Sequence, residues 1–420
     1  MKAPKGPALL LASAAVLLLA WSFAVPIFEA PDENNHWLYI SLIHKNKTLP
    51  AYSLEVQEAN QPPLYYVLMA PFARETEVPK TTIWVDKQGV VRTPPGPKRF
   101  RNDPSDFRRF WPMRIVRILT ALFSVLTVFF TYQAGRLASG NRLTGWLAGG
   151  LVAFLPQFTF RGMNISNDAF ATAASAAATY FIILIIKSGF SPRTGLAAAA
   201  TIALAFLSKI NTLFLVIPFS LAVLTDAKPW KARFRGLAVL LLTLALIAPW
   251  MIYNQVRYGD PLAEGALNSA MTHLIDIKPL TSPYFLTRFP VLLGQSFVGL
   301  FGWMSLWSPP WFYQVFAALG ILALLGLIWR FVRRNIDRRL AAILITIPIL
   351  SFILVVYLNL TFTQPQGRYL FPALPAIMIL AALGLEGLPF WKKGATPILV
   401  GMLFLLNVFI LGTLIIPVYW

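Results

Sequence analysis

The sequence contains no cysteine, only three histidines, and only 13% charged residues among 420. Without cysteine, disulfide bonds and thiolate metal sites are excluded. The scarcity of charge, together with 57% hydrophobic residues and a mean hydropathy of +0.63, excludes an ordinary soluble domain. No repeat of 20–50 residues is visible, so inverted-repeat transporter folds gain no support.

Acidic residues are also scarce, with 17 against 36 basic residues and a net charge of +19. A nucleic-acid partner is not indicated, because the basic residues fall in short loops and no binding module is recognisable. The basic excess instead follows the topology of a membrane protein, as its placement between apolar segments shows.

Apolar segments long enough to cross a hydrocarbon core of about 30 Å recur along the chain. They predict an all-α polytopic membrane protein, with residues 1–420 forming one domain. The first segment lacks a small-residue cleavage site, so we interpret it as a retained helix. The eleven predicted spans are 8–27, 113–135, 144–160, 168–186, 194–208, 212–225, 236–253, 309–329, 340–358, 369–387 and 395–417.

The loops between these spans alternate in charge. If the N-terminus is cytoplasmic, the inner loops carry clusters of Lys and Arg, with Asp226 and Asp337 as their only acids. This distribution follows the positive-inside rule and predicts a multi-pass membrane protein with a cytoplasmic N-terminus. The outer connections include two long loops, 28–112 and 254–309. Their aromatic-rich segments 61–72, 100–111 and 299–311 are too short to span and are typical of interfacial structure.

The stretch "FEAPDENNHWLY" follows the first predicted span. Pro31 followed by Asp32 and Glu33 is typical of a helix N-terminus, so we expect the Asp32 carboxylate to cap a helix. A helix beginning there places His36 one turn from Asp32 on the same face. This group exceeds what a cap requires, and a carboxylate beside a hydroxyl can act as a general base. Glu29 has no predicted role.

Further polar residues lie at the outer ends of other spans. Each has a simple structural explanation: Asp168 can cap a helix, Lys209 can extend to the interface, and Arg368 can anchor there. Together they predict an outward-facing polar cavity for a substrate with phosphate and hydroxyl groups. The residues are Arg161, Asn164, Asn167, Asp168, Lys209, Arg257, Gln366, Arg368 and Tyr369.

Seven segments in order along the chain resemble the integral-membrane glycosyltransferases of the C-type (GT-C) fold. The segments are "PDENNHWLYISLI", "NQPPLYYVLMAPF", "SNDAF", "LSKINTLFLVIP", "NQVRYGDPL", "SFVGLFGW" and "QPQGRYLFPALPAI". The resemblance is to the bacterial branch related to protein mannosyltransferases and to the aminoarabinose transferase of lipid A, and within it to DUF2142-like proteins.

The resemblance implies inverting transfer of a monosaccharide from a polyprenyl-phosphate donor to a glycan, lipid or protein acceptor at the outer face. It implies Asp32 as general base, with Glu33 the second candidate. It also implies that Arg368, beside Tyr369, binds the donor phosphate, and Lys209 is a second phosphate candidate. Gln61 stands where relatives often carry a charge. The predicted substrate-binding residues are His36, Gln61, Tyr65, Arg161, Asn164, Asn167, Asp168, Arg257 and Gln366.

A divalent metal ion, Mg²⁺ or Mn²⁺, is an option with Asp32, Glu33 and His36 as ligands, although their spacing is no recognised metal signature. Two other functions stay open. A transporter or flippase for a polyprenyl-linked or other amphipathic anion would use the same outer face, but the inner half lacks matching polar residues. A non-catalytic membrane scaffold leaves the carboxylates unexplained.

Overall fold

The computed structural model describes residues 6–74, 84–85, 91–92, 102, 108–226, 229–270 and 275–420. Of the predicted interfacial segment 100–111, only residues 102 and 108–111 are among these residues. The segment 61–72 is described and contains a short helix. Two antiparallel pairs of very short strands are present, Trp84–Val85 with Val91–Arg92 and Leu300–Phe301 with Leu306–Trp307. The second pair occupies the Trp-rich stretch 299–311.

The described part of the chain is otherwise helical. Its helices are α1 (Ala8–Ala24), α2 (Glu33–Asn46), α3 (Leu64–Met69), α4 (Trp111–Ser139), α5 (Arg142–Ala153), α6 (Pro156–Gly162), α7 (Asn167–Ser188), α8 (Pro192–Phe206), α9 (Val216–Leu224), α10 (Trp230–Ala238), α11 (Leu240–Tyr258), α12 (Glu264–Ala270), α13 (Phe289–Val298), α14 (Pro310–Val332), α15 (Arg338–Thr361), α16 (Leu374–Gly387), α17 (Ala395–Ile410) and α18 (Ile416–Tyr419). Short 3₁₀ segments cover Gln57–Asn60, Ala70–Phe72, Ile210–Leu215 and Gly367–Ala373, and π-helical turns cover Tyr284–Arg288 and Leu411–Ile415.

Each of the eleven predicted spans falls on a helix. Within the described residues, seven helical stretches are long and apolar enough to cross a membrane, and α5 with α6 makes an eighth if the bent pair is one span. Ala8–Ala24 and Ile210–Leu224 are apolar but shorter, and α8 has only 15 residues. The all-α polytopic fold is therefore confirmed, and the count of eleven spans stays a prediction.

The bend between α5 and α6 positions one residue of the candidate site. The two helices meet at 65°, and α6 begins with Pro156. Proline lacks a backbone N–H and its ring collides with the preceding turn, so it ends α5 and starts a new direction. As a result the buried Arg161 projects from a short helix directed toward the residues that follow α1.

Several connections predicted to lie inside meet at one end of the bundle. Lys187 Nζ lies 3.0 Å from Asp337 Oδ2, which joins the connection after α7 to the connection before α15. Arg339 Nη2 donates to the Ala222 carbonyl oxygen at 2.6 Å and ties the end of α9 to the same place. Three of the connections predicted to lie inside are therefore in contact, and the orientation of the bundle stays a prediction.

Helices α14 and α16 approach each other at glycines. A Cβ atom added to Gly384 would lie 1.9 Å from the carbonyl oxygen of Ala323, so only glycine fits there. Close backbone approach through small residues is a common way to pack membrane helices, because it maximises van der Waals contact. The contact holds α16 in place directly after the 3₁₀ segment that carries Arg368.

Candidate active site

The turn between α1 and α2 gives Asp32 an unusual backbone. Phe28 and Asp32 both have positive φ angles, of 70° and 67°. Such a conformation costs about 1–3 kcal/mol for a residue other than glycine and is concentrated at functional sites. Asp32 occupies the N-cap position of α2, but its side chain makes no capping hydrogen bond. The expectation that its carboxylate caps the helix is therefore wrong, because the carboxylate is engaged elsewhere.

The Asp32 carboxylate pairs with Arg368. Nη2 of Arg368 donates to Oδ2 of Asp32, and the Arg368 side chain is 8% exposed against 26% for Asp32. Arg368 is presented by the 3₁₀ segment Gly367–Ala373. Gly367 N donates to Ser296 Oγ at 2.8 Å, and a Cβ atom on Gly367 would lie 2.3 Å from the Phe297 backbone. Helix α13 thus fixes the turn from which Arg368 extends.

Asp168 links three cations. It forms ion pairs with Lys209, with Arg161 at 2.9 Å and with Arg368 at 3.6 Å. The hydroxyl of Ser166, not the Asp168 carboxylate, caps α7 by accepting from the Asp168 N–H at 3.0 Å. The structural explanation of Asp168 as a helix cap is therefore wrong. Its carboxylate is free to hold the cations together.

The cluster of Asp32, Arg161, Asp168, Lys209 and Arg368 has three cations for two carboxylates, and all but Asp32 have side chains no more than 12% exposed. Burial opposes ionisation of Asp32, but the charges of Arg368 and Arg161 hold its pKa below the usual range. Asp32 is therefore a carboxylate at neutral pH. The surplus cation favours an anionic ligand with which the arginines can form charge-assisted hydrogen bonds.

Tyr369 lies between two cations of the cluster. Its ring centroid is 5.2 Å from Lys209 Nζ and 5.2 Å from Arg368 Cζ. Cation–π contacts at this distance contribute about 0.5–2 kcal/mol. The ring therefore holds both cations on the same side of the site, next to the predicted phosphate position.

Glu33 points away from the cluster. Its carboxylate receives two hydrogen bonds from Arg117, at 2.7 and 2.6 Å, and both side chains are fully buried. The backbone N–H groups of Phe28 and Ile165 also donate to it, at 2.7 and 3.0 Å. Four donors leave no position for a substrate proton. The geometry assigns Glu33 a structural role and does not favour its prediction as a second base.

His36 is a neutral group in this site. Burial lowers its pKa to about 3, despite the neighbouring carboxylates. Its Nδ1 lies 2.9 Å from the hydroxyl of Tyr66. Because Glu33 is saturated by Arg117, Asp32, Glu33 and His36 do not converge on one point, and no cluster suited to a metal ion occurs in the described part of the chain. These three side chains do not fit the divalent metal considered above.

The other predicted site residues do not belong to the cation cluster. Tyr65 is fully buried and shares a 2.7 Å hydrogen bond with Thr120, while Asn167 donates to the Ser208 carbonyl oxygen at 2.7 Å. Asn164 is fully buried, and neither of its side-chain polar atoms has a partner. The exposed Arg257 bonds to Tyr253, Gln366 bonds to Gln364, and Gln61 is half-buried near the 3₁₀ turn Gln57–Asn60.

Two residues of the site, Arg117 and Glu58, are not among those predicted from the sequence. Arg117, the partner of Glu33, lies inside the predicted span 113–135, where a charge is costly, and that signal could have identified it. Glu58 precedes the "NQPPLYY" segment and gives no such signal. Its Oε2 lies 3.7 Å from His36 Nδ1, and burial together with the charge of Asp32 raises its pKa to about 8.

Residues 109–253 match the family model described as dolichyl-phosphate-mannose-protein mannosyltransferase. This segment includes Arg161, Asp168 and Lys209 but neither Asp32 nor Arg368. No curated protein sequence gave a significant match.

Three solved structures share the fold. ArnT from Cupriavidus metallidurans bound to undecaprenyl phosphate aligns with 95% of this chain and 63% of its own, at 16% identity and a TM-score of 0.55. An oligosaccharyltransferase from Archaeoglobus fulgidus, in complex with Zn and sulfate, aligns over 96% and 52%, at 15% identity and 0.53. The arabinofuranosyltransferase AftD from Mycobacteria aligns over 97% and 28%, at 16% identity and 0.53.

These matches confirm the predicted resemblance to the C-type glycosyltransferases and show that the chain has their fold. The chain spans less than two thirds of the length of ArnT and about half the length of the oligosaccharyltransferase. At these identities the likeness concerns the fold, and chemistry must be argued from the site itself.

Proposed function

We propose that this chain, which has the C-type glycosyltransferase fold, moves a monosaccharide from a polyprenyl-phosphate donor to an acceptor hydroxyl with inversion. The observation that carries the proposal is the pairing of Asp32 with Arg368 inside a cluster with excess positive charge. A base and a phosphate-binding cation are thereby placed in direct contact. The reaction needs both groups: Asp32 to accept the proton of the acceptor hydroxyl, and Arg368 to stabilise the leaving phosphate.

The donor phosphate binds, in this proposal, between Arg368, Lys209 and Arg161. These cations already lie around Asp168, and a phosphate adds the negative charge that the cluster lacks. Guanidinium groups bind phosphate through paired, charge-assisted hydrogen bonds. A phosphate at Arg368 competes with Asp32 for the same guanidinium. Donor binding therefore releases the Asp32 carboxylate toward the acceptor.

The chemical step is a single displacement at the anomeric carbon. The acceptor oxygen forms a bond to this carbon from the face opposite the phosphate, while the bond from the carbon to the phosphate oxygen breaks. Polyprenyl phosphate leaves with the electron pair, and Arg368 with Lys209 stabilises its growing charge. Asp32 accepts the proton of the acceptor hydroxyl as attack proceeds.

We also propose that this site faces the exterior of a bacterial or archaeal cytoplasmic membrane, with the N-terminus inside. The support is the charge pattern of the loops. Three of the predicted inner connections meet through Lys187, Asp337 and Arg339, and Asp32 follows the C-terminal end of α1. The lipid-linked donor would then present its sugar to acceptors outside the cell.

A reconstitution experiment tests the activity. Purified protein in liposomes is supplied with a set of radiolabelled polyprenyl-phosphate monosaccharides, both hexoses and pentoses, and with hydroxyl-bearing acceptors. We expect free polyprenyl phosphate and a labelled acceptor to appear together. If labelled donor crosses the bilayer intact and no polyprenyl phosphate is released, the flippase is correct and the transferase is not.

Replacing Arg368 with glutamine tests the phosphate assignment. We expect the donor KM to rise about 10- to 100-fold, because a buried hydrogen-bonded charge is removed from the phosphate site. The measurement is the initial rate as a function of donor concentration. Arg288→Gln, which changes an exposed arginine, is the matched control. An unchanged donor KM in Arg368→Gln would contradict the assignment.

A further inference from the structure

The side of Asp32 that faces the first long loop has different chemistry from the cation cluster. Three tyrosines, Tyr39, Tyr52 and Tyr66, lie there with His36 and Glu58, and these five residues form one wall of the site. The rings of Tyr39 and Tyr66 are 4.1 Å apart, and Tyr66 stacks on His36 at 5.8 Å. The backbone N–H of Tyr52 donates to the hydroxyl of Tyr258 at 2.9 Å, which ties this wall to α11.

Glu58 is the titratable group of this wall that the proposed mechanism does not use. Its side chain is 18% exposed, so it is shielded from bulk solvent but reachable. The neutral His36 lies beside it on the wall. Its Nδ1 is 2.9 Å from the hydroxyl of Tyr66 and 3.7 Å from Glu58 Oε2. With a pKa of about 8, the carboxyl is mostly protonated at neutral pH and can both donate and accept a hydrogen bond.

The groups of the wall next to Glu58 are neutral hydrogen-bonding groups, and the charges of Asp32, Arg368 and Lys209 act on it from the cluster. Asn35 Nδ2 donates to Gln57 Oε1 at 3.2 Å across the edge between α2 and the turn Gln57–Asn60. The side chains of Asn35, Gln57 and Gln61 are partly exposed there, whereas the hydroxyl of Tyr52 is buried and has no hydrogen-bond partner. Amides and a protonated carboxyl suit a ligand with many hydroxyl groups. The rings of Tyr39 and Tyr66 are fully buried and support these groups from behind.

We propose that this wall is the acceptor subsite, that its ligand is a neutral carbohydrate, and that Glu58 binds a hydroxyl group of that acceptor. The inference rests on the proposed glycosyltransfer and names its acceptor class. Asp32 borders both parts of the site, because its carboxylate pairs with Arg368 and it lies one turn from His36, whose ring is beside Glu58. An acceptor held at Glu58 would therefore have a hydroxyl close to the base. The donor phosphate occupies the opposite, cationic half.

Two substitutions of Glu58 separate this role from a purely structural one. Glu58→Gln keeps a neutral group that donates and accepts, whereas Glu58→Leu removes both functions at similar size. We expect Glu58→Leu to raise the acceptor KM at least tenfold with an unchanged donor KM, and Glu58→Gln to stay within about threefold of the parent protein. Glu55→Leu changes an exposed carboxylate of the same segment and is the matched control.

The acceptor probes are methyl glycosides of neutral sugars, a methyl glycoside of an amino sugar and a threonine-containing peptide. The inference predicts transfer to the neutral glycosides. Transfer to the peptide or the amino sugar alone overturns it, and so does an unchanged acceptor KM in Glu58→Leu. If the parent protein releases no polyprenyl phosphate with any acceptor, the proposed function itself fails, which is a distinct outcome.

The stability of the protein provides a readout of Glu58 that needs no substrate. Because the pKa of Glu58 is raised to about 8 in the folded protein, folding favours its neutral form. This stabilising preference is fully present below the unfolded-state pKa and is lost as the pH rises through 8. We therefore expect Glu58→Gln to melt at a higher temperature than the parent protein at pH 8.5, with a smaller difference at pH 5.

The charged and titratable groups that act on Glu58 come from several elements, so this comparison uses the difference between two proteins at each pH. The groups are Asp32, His36, Tyr39, Tyr52, Tyr66, Asp168, Lys209 and Arg368. All are common to both proteins. An equal melting difference at pH 5 and pH 8.5 would show that Glu58 titrates as an ordinary carboxylate and would overturn its role as a neutral hydrogen-bonding group.

Discussion

Asp32→Asn is expected to lower kcat about a thousandfold while the donor KM stays the same or falls. An amide cannot accept the proton of the attacking hydroxyl, and general-base catalysis contributes about 10²–10⁴ in rate. The donor KM should not rise, because Arg368 loses its competing carboxylate partner and meets the phosphate more freely. Single-turnover measurement of polyprenyl phosphate release separates the chemical step from donor binding.

Asp276→Asn is the control for this substitution. Asp276 also pairs with a cation, Lys278, but its side chain is 49% exposed and lies outside the cluster. We expect it to keep the rate of the parent protein. Normal turnover by Asp32→Asn would remove Asp32 from the role of base.

Glu33→Gln is expected to destabilise the fold by about 3–5 kcal/mol. The substitution leaves the buried Arg117 without its counter-charge, and breaking a buried pair from one side costs about this much. Arg117 also donates to the carbonyl oxygens of Ser22, Val25 and Pro26, so the end of α1 loosens with it. Thermal unfolding in detergent, followed by size-exclusion chromatography, measures the effect.

The comparison for Glu33→Gln is Asp337→Asn at the opposite end of the bundle. Asp337 pairs with Lys187, and both side chains are partly exposed, at 39% and 28%. Exposed pairs contribute about 0–1 kcal/mol, so this protein should melt close to the parent. A Glu33→Gln protein that is as stable as the parent but inactive would return Glu33 to the catalytic candidates.

The helices were predictable because a membrane imposes length and apolar composition on every span. The fold class followed from the same constraint. The grouping of Arg161, Asp168, Lys209 and Arg368 was also predictable, since each follows or precedes a span at the same predicted face. Their pairing was not, because it depends on the bend at Pro156 and on the turn at Gly367.

The different positions of Asp32 and Glu33 could not be read from the sequence. They are neighbours, and both suit the start of a helix. The left-handed conformation of Asp32 turns its carboxylate to Arg368, while Glu33 enters α2 and points to Arg117. A single residue with positive φ decides which acid meets solvent and which is buried. Hydrophobic periodicity carries no information about that choice.

Asp32 and Arg368 are 336 residues apart in the sequence, although their side chains touch. During synthesis, the first loop therefore emerges before most of the spans, and its carboxylate meets Arg368 only after residue 368 has been made. A chain interrupted before Gly367–Ala373 would hold Asp32 near Arg161 but without its direct partner, and could not assemble the group of cations for the donor phosphate. The reactive centre therefore forms only after most of the helices have entered the membrane.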